Sequence, residues 1–288
     1  MITLGRGRFE LDIAPDVGGA ISRFEFAGKP VMRPVAPDEN RVLEMCSFPL
    51  VPYANRIAGG SFEFGGKTYR LPLNFGDHPH SLHGHGWQRA WAAEMVSRDR
   101  VSLACEHAAD AWEWAYAAEQ VFSLTDDGLV VALSLTNKSD MPMPYSLGFH
   151  PYFPRHPGSL VQAGVKGMWL ADATMLPTDL TAANAVIDLI AGQAVSKAPF
   201  VDNTFTDWRG PAVITQPELG LEIALTASSN AGFLHVFIPE GENYFCAEPT
   251  TAMPNAVNRP EAAEVSGAKV LAPGATATIE MRLAVRTL

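Results

Sequence analysis

Cysteine is scarce in this chain: three residues, Cys46, Cys105 and Cys246, in 288. They are far apart, odd in number and include no Cys-x-x-Cys pair, so neither a disulfide framework nor a zinc ribbon is indicated. That scarcity fits a reducing compartment. No apolar run is long enough to span a bilayer. The stretch Met1-Ile2-Thr3-Leu4-Gly5-Arg6 lacks the apolar core and cleavage site of a secretion signal. A cytoplasmic location is therefore expected. Basic residues are outnumbered, 21 Lys and Arg against 31 Asp and Glu, for a net charge of −10. This weighs against nucleic acid and against a membrane surface as partners. It weighs only weakly against a phosphorylated small molecule, because one local Arg can hold a phosphate. There is no Walker loop, no dinucleotide fingerprint after a strand and no Gly-x-Ser-x-Gly elbow. Nucleotide cofactors and serine-esterase chemistry lack support, and no cofactor is expected. Low-complexity tracts, interdomain linkers and solenoid repeats are also missing, so residues 1–288 are expected to form a single domain.

What is present is a large apolar fraction, 47%, cut into short alternating stretches. Arg8-Phe9-Glu10-Leu11-Asp12-Ile13 alternates polar and apolar with period two, as does the segment 20–26 before a Gly28-Lys29-Pro30 turn. Segments 61–64 and 67–71 flank Gly65-Gly66, the signal of a tight hairpin, since glycine tolerates the positive φ such turns need. Further hairpins are expected about Asp126-Asp127-Gly128, about Pro217-Glu218-Leu219-Gly220 and about Glu240-Gly241-Glu242. Residues 107–119 are rich in helix-favouring Ala and Glu. Yet Trp112, Trp114 and Tyr116 fall at alternate positions, so strand or extended chain is expected. Residues 171–198, rich in small side chains, are expected to be mostly loop. Many short strands joined by hairpins predict an all-β protein, a large antiparallel β-sandwich or barrel.

Four polar clusters stand out from this apolar frame. In Gly148-Phe149-His150-Pro151-Tyr152-Phe153, proline pushes His150 away from helical geometry, so the imidazole is presented from an extended segment. Imidazole gives and takes protons near neutral pH, but a half-buried histidine among aromatics fits this stretch equally well. Asn55-Arg56 follows the apolar run 48–53. Its guanidinium fits both a polyol or anion contact and a structural role satisfying loop carbonyls. Asp77-His78-Pro79-His80-Ser81-Leu82-His83-Gly84-His85-Gly86-Trp87 holds four of the eight histidines. On a strand, His83 and His85 would share a face, as would His78 and His80. No His-Glu-x-x-His motif or accompanying Cys supports a metal there. Hydrogen bonding to a ligand is preferred, with Gly84 and Gly86 permitting close approach and Trp87 offering a flat wall for a sugar ring. Last, Glu248 ends a hydrophobic strand over 244–247. There a carboxylate can have its pKa raised toward that of a useful base, although a solvated loop glutamate fits the position too. Asp202-Asn203-Thr204-Phe205 and Asp207-Trp208 form a smaller cluster, compatible with sugar contacts or an Asx-turn.

Taken in order, these clusters resemble the aldose 1-epimerase (galactose mutarotase) family. The resemblance runs through Asn55-Arg56-Ile57 with Gly60, Phe62, Gly65, Tyr69 and Leu71, then Leu82-His83-Gly84, then the His150 stretch, then Asp202-x-x-Phe205. It ends in Glu248-Pro249 and Pro254-Asn255-Ala256-x-Asn258, and so spans nearly the whole chain. It implies a galactose mutarotase-like supersandwich. It assigns His150 as general acid, Glu248 as general base, Arg56 and His83 as residues beside the sugar ring and Asp202 as the acid on sugar hydroxyls. Asn55, in the motif of Arg56, joins the expected substrate-binding set. Asn203 stands where the family often has His, and Asn255 where Asp is common; both are expected near substrate contacts and bear on sugar identity. The 83–87 loop resembles that of a shorter, bacterial-type branch.

The activity implied is exchange of the α and β anomers of a free aldose by acid–base ring opening, with neither metal nor cofactor. Protonated His150 would require a setting that favours its charge, with a carboxylate nearby. A hexose-6-phosphate 1-epimerase is the alternative, for which Arg70, Arg89, Arg155 and Lys166 are the candidate phosphate ligands. A non-catalytic carbohydrate-binding protein is the alternative of another class, and a metal-dependent, cupin-like reading of the histidine cluster comes third. A monomer and a homodimer are both compatible with the sequence.

Overall fold

The computed structural model describes residues 1–259 and 262–288. Among these the regular structure is mostly strand, with one four-residue α-helix, Ala263–Ser266. No helix among the described residues is long and apolar enough to cross a membrane.

Two large sheets carry the architecture. The nine-stranded sheet has at its centre the long strands Tyr116–Leu124, Gly128–Asn137, Thr276–Thr287 and Leu221–Ala227. The eight-stranded sheet runs Pro177–Ala182, Gly167–Ala171, Val201–Thr206, Phe233–Ile238, Tyr244–Thr250, Gly148–Phe149 and Pro49–Leu50, with Tyr152–Pro154 also pairing Tyr244–Thr250. Neighbouring strands within both pair antiparallel, as hairpin connections allow. A four-stranded sheet from Ile2–Arg6 to Lys29–Pro30 closes one side.

One apolar cluster joins the sheets. It takes Leu133, Ile279 and Leu225 from the nine-stranded sheet and Phe205, Val236 and Phe245 from the eight-stranded one. The alternation on Tyr116–Leu124 marks its inward and outward faces. Val201–Thr206 is different: all six residues are buried. Its odd-numbered residues enter the core with Phe205. Its even-numbered residues, Asp202 and Thr204 among them, are polar, so this sheet's other face is covered as well. That second face holds the site.

The hairpins about Gly65-Gly66, 126–128, 217–220 and 240–243 form as expected. One expectation needs correction, and another, that residues 171–198 are mostly loop, holds with one addition. Residues 107–119 are not one extended strand. Arg100–His107 ends at the histidine, residues 108–115 form a loop, and Tyr116 opens the next strand. Trp112 and Trp114 are nonetheless both buried, stacked against Phe62 and Tyr69 of the Gly65-Gly66 hairpin. Burial set their spacing, not sheet pairing. Within 171–198, Pro177–Ala182 is an edge strand of the eight-stranded sheet. Most of its side chains are exposed, so it lacks the alternation by which a half-buried strand is read.

Candidate functional site

Register explains how distant residues meet. On the second face of the eight-stranded sheet, Thr204 pairs with His235, and His235 pairs with Glu248. One pleat along, Asp202 pairs with Phe237, Phe237 with Cys246, and Cys246 with Tyr152. These residues form two neighbouring rows on one face, because side chains two apart on a strand point the same way. His150 enters from the bend between Gly148–Phe149 and Tyr152–Pro154. Arg56, Asn55 and His83 arrive on the short pair Arg56–Ile57 and Ser81–Leu82 and its flanks. Together they surround a cavity of about 290 Å³. Every residue assigned from the sequence lines it: Asn55, Arg56, His83, His150, Asp202 and Glu248.

His150 and Glu248 form the floor. His150 Nε2 lies 3.4 Å from Glu248 Oε1. The imidazole packs against two aromatic rings, Phe48, 4.7 Å away between ring centroids, and Tyr152, 4.6 Å away and nearly parallel. Burial pushes the His150 pKa well down, and the Arg33 charge acts in the same direction. Burial pushes the Glu248 pKa well up, and the Asp202 charge adds to this. The expectation that His150 sits where its charged form is favoured is therefore corrected. A carboxylate is nearby, and it is Glu248 itself, but the dry surroundings disfavour charge on either partner.

The opposite wall is charged yet neutralised. Arg56 holds Asp202 with two bonds, Nη1 to Oδ1 at 2.9 Å and Nη2 to Oδ2 at 2.7 Å. His235 Nε2 lies 3.1 Å from Asp202 Oδ1. Burial would raise the Asp202 pKa, but the bond from His235 and the Arg56 charge hold it well below the carboxylate range. An ionised Asp202 only accepts, so His235 Nε2–H donates to it, while His235 Nδ1 lies 2.7 Å from the Thr204 hydroxyl. Asn55 Oδ1 accepts from the backbone and Nη1 of Arg56 and orients the guanidinium.

His83 is held as a directed donor. Asn55 and His83 both adopt left-handed backbone, φ 58° each, and bond to one another. His83 N donates to Asn55 O, and Asn55 N donates to His83 Nδ1. With Nδ1 accepting, the proton of the neutral ring sits on Nε2. Neutral it is, since burial pushes its pKa down to about 3.

Behind Tyr152 lies Arg33, 6% exposed, with its guanidinium carbon 3.6 Å from the Tyr152 centroid and 4.8 Å from that of Tyr244. It donates to the carbonyls of Leu43 and Met45. Those bonds pin the turn Val42–Glu44, of which Leu43 and Glu44 line the cavity mouth.

Several expectations change here. His83 and His85 do not share a face, because the strand ends at Leu82 and His83 turns left-handed. His85 instead stacks on His107, 4.6 Å away. His78 and His80 lie in a loop. His78 accepts from Arg56 Nε at 3.4 Å, and His80 Nδ1 accepts from Gly59 N. Gly84 permits close approach of backbone, not of a ligand: a Cβ there would sit 2.2 Å from Val51 O. Trp87 lines the cavity but is 3% exposed and stacked on Phe48.

Asn203 and Asn255 were expected near substrate, and neither lines the site cavity. Asn203 alternates to the face away from Asp202 and donates to Trp169 O. Asn255 caps Ala58 N and faces a separate, apolar cavity of about 140 Å³. Asp207 lies in an exposed turn beyond the strand. Arg70, Arg89, Arg155 and Lys166 do not line the site cavity.

His235 is the residue that sequence reasoning missed. Its signal was a lone histidine in the apolar strand Phe233–Ile238, two residues from Phe237.

A sequence model of the family described as aldose 1-epimerase matches residues 1–284. The chain belongs to the aldose 1-epimerase family. The uncharacterized Escherichia coli K12 protein YphB is 34% identical over 294 residues, covering 99% of each chain. The uncharacterized YihR of the same organism is 27% identical, covering 89% of this chain and 85% of its own. Among solved structures, a candidate aldose 1-epimerase from Escherichia coli K12 superposes with a TM-score of 0.90 at 33% identity, covering 100% of this chain and 99% of its own. A galactose mutarotase-like protein from Clostridium acetobutylicum superposes with a TM-score of 0.89 at 23% identity, covering 99% and 95%; that likeness speaks to the fold alone. The architecture is the antiparallel, all-β fold of the galactose mutarotase-like proteins.

Proposed function

We propose that this aldose 1-epimerase family member is a mutarotase interconverting the α and β anomers of a free aldose. Residues 1–288 are read as one catalytic unit, a reading supported by the apolar cluster common to both large sheets. The observation that carries the function is the His150–Glu248 pair, 3.4 Å apart and buried at the floor of a polar cavity.

Glu248 as carboxylate takes the proton of the anomeric O1 hydroxyl while His150 as imidazolium gives a proton to ring oxygen O5. The C1–O5 bond breaks, and its electrons leave with O5 as a hydroxyl. O1 becomes the aldehyde oxygen. After rotation about C1–C2, O5 attacks the other face of C1. His150 then recovers its proton from O5, and Glu248 returns one to O1. The pair holds one proton before opening, and that number is restored on closure. Burial makes the buried imidazolium a strong acid and the buried carboxylate a strong base, the direction each step needs. Arg56, Asp202, His83 and Asn55 are the sugar-holding residues in this reading. His83 Nε2–H donates to a ring substituent, and the free lone pair of Asp202 Oδ2 accepts a hydroxyl.

A free sugar is favoured over a 6-phosphate because Arg56, the arginine lining the cavity, is already neutralised by Asp202. A pure sugar binder has no use for a buried acid–base pair. The test is NMR exchange between anomers over a panel of aldoses and hexose 6-phosphates at fixed pH, with the spontaneous rate subtracted. Exchange no faster than the blank for every free aldose would overturn the proposal.

A further inference from the structure

Cys246 has no part in the scheme above, yet it stands among its central atoms. It precedes Glu248 by two residues on Tyr244–Thr250, so its side chain projects to the same face. Its cross-strand partner is Tyr152, two residues after His150. As a result the Cys246 Sγ, a His150 ring nitrogen and a Glu248 carboxylate oxygen all lie within 4.8 Å of one another. The three residues are 0%, 7% and 1% exposed. Glu248 Oε2 and His150 Nδ1 are buried with no hydrogen-bond partner among the described residues. A thiol used only as a small apolar filler needs no such neighbours.

We infer that Cys246, His150 and Glu248 form a binding site for a thiophilic divalent cation, zinc above all, and that its occupancy silences the acid–base pair. The silencing rests on the proposed function; the binding does not. Zinc takes sulfur, imidazole nitrogen and carboxylate oxygen together, commonly three protein ligands plus a water. In a tetrahedral shell of that kind the ligand atoms lie about 3.5 Å apart, so the three groups close in by about 1 Å. The cavity supplies water for the fourth position. Charge balance favours the bound state: one divalent cation, one thiolate, one carboxylate and a neutral imidazole sum to zero. The thiol proton and any proton on Glu248 leave to solvent as the metal binds, so affinity rises with pH. Magnesium and calcium, which demand several oxygen ligands, do not suit this set. The metal would occupy the atoms that otherwise serve O5 and O1, so it acts as an inhibitor and has no role in turnover.

The test uses tag-free protein, with cobalt(II) as an optical probe and zinc as the inhibitor. Wild type titrated with cobalt is expected to develop a thiolate-to-cobalt charge-transfer band that zinc abolishes. Cys246→Ala and Cys246→Ser are expected to lack the band while retaining anomer exchange within about twofold. In both, the zinc concentration for half-inhibition is expected to rise by about tenfold or more. Chelation restores wild-type exchange. A wild-type protein without the band overturns the inference, as does equal zinc inhibition of wild type and a folded Cys246 variant. The band is read without turnover, so an inactive protein that binds cobalt through Cys246 sinks the mutarotase proposal alone. An active protein without the band sinks this inference alone.

Discussion

His150 Nε2 lies 3.4 Å from Glu248 Oε1, and burial shifts the two groups in opposite directions, the imidazole down and the carboxyl up. The consequence is clearest in proton number. Imidazolium with carboxylate, and imidazole with carboxylic acid, both contain one exchangeable proton and no net charge. Adding or removing a proton leaves a single charge buried beside Phe48 and Tyr152. The pair therefore behaves as one unit that holds one proton over a broad pH range.

In the proposed mechanism neither member can be spared in shuttling that proton. Glu248→Gln and His150→Asn are each expected to slow enzyme-dependent anomer exchange by roughly 10²–10⁴-fold. The double variant is expected to lose little more, because the two residues act as a unit. Glu248→Gln should leave the melting temperature unchanged or raise it, since it replaces an acid whose Oε2 has no partner among the described residues. Rates near wild type in either folded variant would remove the pair from the mechanism.

Stability should fall on mild acidification, with His83 and His85 as the cause. Burial holds their folded pKa values at about 3 and about 4, against 6.5 for a free histidine side chain. Below 6.5 the unfolded chain binds protons that the folded chain refuses, so unfolding becomes easier as pH drops. Each contributes up to about 1.4 kcal/mol per pH unit across its window. The His150–Glu248 pair stays out of this slope between 4.5 and 6.5, holding one proton folded and about one unfolded. Urea unfolding at several pH values should therefore give a steeper fall in wild type than in His85→Gln. Equal slopes would mean that His85 ionises freely in the folded protein.

The Arg56–Asp202 pair is expected to be structural as well as ligand-binding. Asp202→Asn strands the Arg56 guanidinium, whose side chain is 11% exposed, without a countercharge. Losing one partner of a buried pair costs about 3–5 kcal/mol. Arg56→Lys loses the two-pronged grip but keeps the charge, so it should fall between wild type and Asp202→Asn. Chemical denaturation reads the difference, and a loss under about 1 kcal/mol for Asp202→Asn would place this pair among the solvent-screened ones.

Why the site was largely readable, and where it was not, follows from chain geometry. His150, Glu248 and Asp202 each sit where apolar alternation stops or is broken by a polar residue, and such breaks show in sequence. The fold was legible for the same reason, since its hairpins carry glycine or acid-glycine turns. His235 was hidden because its importance lies in cross-strand register, with Thr204 on one side and Glu248 on the other. Register between strands 30 residues apart leaves no local mark. Asn203 was misplaced for a related reason. Adjacent residues in a strand face opposite ways, so closeness to Asp202 in sequence meant separation in space. The ionisation of His150 was misjudged because burial is a property of the assembled aromatic cluster, not of any one stretch.

Arg33 carries the last expectation. Its cation stacks on Tyr152, and Tyr152 stacks on His150, so a buried positive charge stands one ring away from the imidazole. Burial does most to lower the His150 pKa, and Arg33 adds to it. A positive field hinders entry of a second proton into the pair and eases loss of the one it holds. Arg33→Met keeps an apolar contact with the ring and removes the charge. Both limbs of the pH–rate profile for anomer exchange are then expected to move to higher pH, by about half to one unit for charges this close in partly dry surroundings. Arg33→Lys keeps the charge but cannot grip the carbonyls of Leu43 and Met45 as a fork. It should lower the rate through a looser cavity mouth and leave the limbs in place. Should Arg33→Met fold poorly, Arg33→Gln removes the charge while retaining a donor for one of those carbonyls. Limbs that stay fixed in a folded, uncharged variant would show that Arg33 only braces the turn at Val42–Glu44.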